Sequence, residues 1–122
     1  MKDEEDSGAE DLRARTKKFA LRGIALFVAL PKTEEARILG RQMVRSATSV
    51  GAHYREAKRA KSDADFVSKI EGALQELEET GYWLELLGES GIVRAERLEA
   101  LLKETEELTA IMVVIVKKAK AR

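Results

Sequence analysis

Proline occurs once in these 122 residues, at position 31, and that scarcity constrains the fold more than any other feature, because proline is the residue that most reliably breaks a helix. No alternation of apolar and polar residues marks a strand, so the stretches on either side of Pro31 read as long helices. The first is expected from about Glu10 to Leu30, opened by Ser7 and Glu10 at capping-box spacing and closed at Pro31. Thr33 is placed to cap a second, with Glu34 and Glu35 well placed against the helix dipole, and that helix ends near Ala60. Ser62 repeats the device for a third helix through Leu87, which Gly88-Glu89-Ser90-Gly91 terminates. The fourth spans about Arg94 to Ala119. Connections this short imply antiparallel neighbours. The expected fold is therefore all-α, an up-down-up-down antiparallel four-helix bundle over residues 10–122, preceded by an acidic flexible extension at residues 1–9.

A chain of this length accommodates one domain and one core. It contains no cysteine, which removes disulfides, thiolate metal sites and cysteine nucleophiles. The opening Met1-Lys2-Asp3-Glu4-Glu5-Asp6 lacks the basic and apolar regions of a secretion signal. The longest apolar block, Leu108 to Val116 with Thr109 inside it, falls well short of the ~20 residues a membrane span requires. A cytoplasmic protein without a membrane partner is expected.

The 22 basic and 22 acidic side chains cancel in number but are unevenly distributed. Residues 12–32 hold six bases and no acid, whereas residues 62–91 hold one base and eight acids. Two readings follow: basic and acidic helices neutralise one another, or a basic surface meets an anionic partner.

At 100° per residue the third helix carries two faces. Phe66, Val67, Ile70, Ala73, Leu74, Leu77 and Leu84 form a core stripe with Gly81 inside it, while Gly72, Glu76, Glu79, Trp83 and Leu86 collect nearly opposite. The first helix spreads Leu12, Phe19, Ala20, Ile24, Leu26, Phe27, Val28 and Leu30 over more than half its circumference. Helices with two apolar faces are expected to bury the second against other copies, so the chain is read as a homo-oligomer. Candidate interface residues are Ser49, Gly51, His53 and Glu56 on the second helix with Gly72, Glu76, Glu79, Trp83 and Leu86 on the third. Gly23, Gly40, Gly51, Gly72 and Gly81 all fall inside helices, where each costs ~1 kcal/mol relative to alanine. Close helix approach is the expected compensation.

His53 is the only histidine, one turn before Glu56, with Glu76 and Glu79 at similar spacing on the next helix. A di-iron bundle needs Glu-x-x-His on two helices and further glutamates; here the order is reversed and the second histidine is missing, so no metal or other cofactor is expected. These glutamates are instead expected to pair with Arg45 or Arg55. No nucleophile, base and orienting group assemble, and the chain is not read as an enzyme. The arginines of the second helix carry more information. Arg37, Arg41, Arg55 and Arg59 project within a ~40° arc with Arg45 at its edge. Lys17, Lys18 and Arg22 add positive charge on the first helix. Such a stripe tracks phosphates in RNA or DNA, or is a solvated charged face.

The sequence also resembles a known family. Leu30-Pro31, Arg45-Ser46, the block Ser49-Val50-Gly51-Ala52-His53-Tyr54-Arg55-Glu56-Ala57, Ala60-Lys61-Ser62, Asp65-Phe66 and Tyr82-Trp83-Leu84-Glu85-Leu86-Leu87 are similar to the four-helix-bundle proteins encoded in intervening sequences of bacterial large-subunit rRNA genes. The likeness covers about residues 19–119. It implies a homopentameric barrel of bundles. By analogy with a related accessory protein of diversity-generating retroelements, it also implies nucleic-acid binding and a protein partner such as a reverse transcriptase. Together these readings point to a non-enzymatic oligomeric scaffold that binds structured RNA or DNA, the alternative being a protein-interaction module.

Overall fold

The computed structural model describes the backbone from Lys2 to Arg122 and the side chains from Leu12 onward. Four helices follow in order, α1 (Lys2–Ala29), α2 (Glu34–Lys58), α3 (Asp63–Glu89) and α4 (Ala95–Lys120), and no strand occurs among the described residues. Two of the helix starts are built as the sequence proposes. The Thr33 hydroxyl accepts the Ala36 amide at 3.3 Å ahead of α2, and the Ser62 hydroxyl accepts the Asp65 amide at 3.0 Å ahead of α3. Acidic residues in both first turns add favourable interaction with the helix dipole.

Two boundaries differ from expectation. α1 reaches back to Lys2, through the Ser7–Glu10 pair read as its start and into the segment set apart as an extension; the side chains of that pair lie outside the described residues. α3 continues past Gly88 to Glu89, because the residue that reverses the chain is Gly91, at φ +80°, a left-handed conformation that favours glycine. There the Val93 amide donates to the Leu87 carbonyl at 3.1 Å and closes the turn.

Successive helices run antiparallel, as their contacts show. Along α1 and α2, Thr16 meets Gly51, Gly23 meets Ala47, and Leu30 meets Gly40. Along α2 and α3, Ser46 bonds Thr80 while His53 lies on Gly72. Along α3 and α4, Gly88 faces Leu98 and Gly81 faces Thr105. The bundle therefore follows chain order, α1 on α2 on α3 on α4, and α1 touches α4 only sparsely. α1 and α3 are diagonal. What ties α1 to α4 is Arg15, whose guanidinium donates to both Glu104 carboxylate oxygens, at 2.6 and 3.1 Å, and to Glu107 at 3.2 Å.

The core contains Phe19, Met43, Ile70, Leu77, Leu84, Leu108 and Met112, all fully buried. Each side chain of this kind contributes roughly 1.5–3 kcal/mol by leaving water. Its hydroxyls are satisfied locally: Thr16 donates to the Leu12 carbonyl at 2.7 Å and Thr105 to the Leu101 carbonyl at 2.8 Å. Of the core stripe predicted for α3, Ile70, Ala73, Leu77 and Leu84 are buried and Phe66, Val67 and Leu74 half-buried. Tyr54 is 3 % exposed, and burial pushes its phenol above the ordinary tyrosine range.

Candidate interaction surfaces

The packing of α2 determines where its arginines go. Ala36, Met43, Val50, Tyr54 and Ala57 turn inward, so the residues on the far side of the helical turn turn outward. Arg37, Arg41, Arg45, Arg55 and Arg59 are all exposed there. None pairs with an acidic side chain among the described residues. The expected pairing of Arg45 or Arg55 with glutamates is thus not made within the chain. Lys17 and Lys18 of α1 are exposed and Arg22 is half-buried. Lys18 and Arg22 follow Arg15 at helical spacing and share the flank that turns toward α4, so they do not continue the α2 stripe.

The candidate interface residues gather along the seam between α2 and α3, with one exception. The His53 ring lies against Gly72, where an added Cβ would stand 3.2 Å from it. Its Nδ1 is 3.1 Å from Glu56 Oε1, and its Nε2 is 3.7 Å from Glu76 Oε2. Ser49 donates to the Arg45 carbonyl at 2.7 Å, Trp83 and Leu86 are half-buried beside the seam, and Glu79 is exposed. Gly51 stands apart. Two residues from His53 is about 200° around a helix, which places Gly51 on the opposite flank, buried against Thr16 of α1. Two polar atoms of the seam are buried with no hydrogen-bond partner among the described residues, Glu76 Oε1 and Trp83 Nε1. Leaving such an atom unsatisfied costs about 1–3 kcal/mol.

A depression of about 710 Å³ runs between α3 and α4. Leu77, Gly81, Thr105 and Ala110 line it together with Glu78, Glu85 and Glu106. Tyr82 also lines it, 55 % exposed and edge-on to Trp83 with ring centroids 5.2 Å apart. On the diagonal helix α1, Leu21, Ile24 and Val28 are exposed by 56 %, 41 % and 66 %. The sequence reading counted Ile24 and Val28 among the apolar residues of this helix but not Leu21. Its spacing from the other two was the available signal, since positions i, i+3 and i+7 share a face. Among the described residues no three histidine or acidic side chains converge as a metal-binding set, and no helix is long and apolar enough to cross a membrane.

Taken together, the described residues define an all-α protein of four antiparallel helices with charged and apolar outward faces and two unsatisfied polar atoms at one seam. The chain belongs to the 23S rRNA-intervening sequence protein family, whose model matches residues 11–114. A solved structure from Bacteroides thetaiotaomicron, described as a protein with unknown function from the S23 ribosomal protein family, is similar at 35 % identity and a TM-score of 0.82. The match covers 87 % of this chain and 98 % of that one. No curated protein matches the chain.

Proposed function

We propose that this protein is a non-enzymatic oligomeric scaffold that binds structured RNA or DNA, chiefly through the arginines of α2. The observation that carries the reading is the row Arg37, Arg41, Arg45, Arg55 and Arg59, exposed on one face and without acidic partners among the described residues. An arginine with no carboxylate to satisfy it keeps its whole fork of donors for phosphate oxygens. The row spans most of α2, so it meets several successive phosphates. Assembly multiplies it, and the resemblance implies five copies. Support for assembly comes from the exposed apolar row Leu21, Ile24 and Val28 of α1, which a neighbouring copy would cover.

The test is fluorescence anisotropy of a labelled RNA hairpin and a matched DNA duplex at low and physiological salt. Binding that weakens steeply with salt, and weakens further in Arg41→Ala/Arg55→Ala, is the expected outcome. Absence of binding at low salt sinks the nucleic-acid reading. It would leave a protein-interaction module as the better one, which the exposed apolar row of α1 favours.

A further inference from the structure

We infer that copies of this chain associate head to tail, the outward face of α1 on one copy lying on the outward face of α3 on the next. The inference rests on the oligomeric part of the function proposed above and specifies its contact.

The two faces are complementary in both respects that decide an interface. On α1, Leu21, Ile24 and Val28 form an exposed apolar row, with exposed Lys17 continuing it at its N-terminal end and exposed Lys18 on the flank toward α4. Residues 12–32 contain no acid at all. On α3, Tyr82 stands exposed at the centre of the outward face, with Glu78, Glu79 and Glu85 around it and the groove toward α4 alongside. Half-buried Trp83 marks the rim of this face. An apolar row with basic flanks thus matches an aromatic centre with acidic flanks, and the groove offers room for a row of side chains.

Other occupants satisfy only one face each. An anionic lipid surface or a nucleic acid would suit the lysines of α1 but would be repelled by the glutamates of α3. A two-fold contact of α1 with α1 would offer Lys17 and Lys18 no acid, since residues 12–32 contain none, and α3 with α3 would set glutamates against glutamates. Because α1 and α3 are diagonal in the bundle, their outward faces point to opposite sides and cannot meet within one chain. Two different, complementary patches facing opposite ways make a heterologous contact, which closes into a ring or runs on as a filament.

The experiment is light scattering on the full chain and on two charge reversals at exposed positions, Lys17→Glu/Lys18→Glu and Glu78→Lys/Glu79→Lys, with circular dichroism to check folding. Each reversal alone is expected to raise the concentration at which the assembly dissociates by roughly tenfold or more, since it sets like charges across the contact. Combining both reversals in one chain is expected to restore assembly, because every contact then again sets opposite charges against each other. An independent readout needs no variant: Trp83 is the only tryptophan, so diluting the wild-type protein through dissociation should move its emission to longer wavelength. If the wild-type chain assembles but both reversals keep its mass, if combining them in one chain restores nothing, or if Trp83 emission stays constant while the mass falls, the α1-on-α3 contact is wrong while the oligomeric reading stands. A wild-type chain that is monomeric at every concentration overturns both.

Discussion

A glycine inside a helix is informative only through what an added methyl group would meet, and four of the five interior glycines are hemmed in. A Cβ on Gly40 would stand 2.5 Å from Leu30 Cδ1 and 2.8 Å from Phe27 Cδ1, whereas one on Gly81 would find nothing nearer than Thr105 at 3.8 Å. Alanine gains up to ~1 kcal/mol of helix propensity at either site, but overpacking at Gly40 costs roughly 1–3 kcal/mol against it. In urea denaturation Gly81→Ala should therefore raise the midpoint and Gly40→Ala should lower it. Equal effects at the two sites would mean that the approach of α1 to α2 is looser than the contacts imply. The same care applies to the buried hydroxyls of α2 and α3. Thr80 Oγ1 lies 2.8 Å from Ser46 Oγ and 2.8 Å from the Glu76 carbonyl, and its one hydrogen serves one of them at a time. Ser46 in turn donates to the Met43 carbonyl at 3.1 Å. Thr80→Val leaves Ser46 with one neighbour fewer in a dry interior, a loss of about 1–3 kcal/mol by the same urea measurement.

The two terminal helices are the least enclosed elements, since α1 packs on α2 and α4 on α3 while the two touch each other sparsely. Among the described side chains, the closure of α1 onto α4 rests on one arginine fork. Arg15 and Glu104 retain only 26 % and 17 % of their side-chain exposure, so the pair is better shielded than a surface bridge, and hydrogen bonds to charged groups of this kind contribute about 1.5–3 kcal/mol. Arg15→Lys keeps the charge but loses the two-pronged geometry. It should speed hydrogen exchange of α1 amides relative to those of α2 and α3, and a uniform change across all four helices would count against Arg15 as a local tether. Little of this pairing was legible beforehand, because a fork between residues 89 positions apart depends on tertiary register. The four elements themselves were legible. Thr33 and Ser62 mark two starts through hydroxyl caps, and apolar period places the stripe from Ile70 to Leu84. The end of α3 was misplaced because Gly88 is as good a stop signal as Gly91, and only the backbone shows which of them turns left-handed. Helical spacing places Gly72, Glu76 and Trp83 on one face of α3, but that His53 of α2 packs on Gly72 is a matter of tertiary register, and the angle of Gly51 around α2 sends it to α1 instead.

For the molecule as a whole, zero net charge conceals a division of labour among faces. α2 presents arginines outward, α1 presents an apolar row with lysines, and α3 presents glutamates around Tyr82. If phosphates are bound by α2 and copies meet through α1 and α3, the two activities rest on different side chains and can be separated. Arg41→Ala/Arg55→Ala removes two cations from the phosphate-facing row and touches neither Tyr82 nor the row from Leu21 to Val28. Each phosphate contact releases condensed counterions and contributes about 0.9 to the slope of log affinity against log salt on duplex DNA. The double variant should therefore bind more weakly with a slope smaller by roughly two, while its mass in light scattering matches the wild-type protein. A fall in mass together with binding would mean that the arginines hold copies together and that the phosphate site exists only in the assembly. An unchanged slope would mean that nucleic acid, if bound, is held elsewhere. Measured side by side, slope and mass assign the α2 face to a ligand, to a neighbouring copy or to solvent.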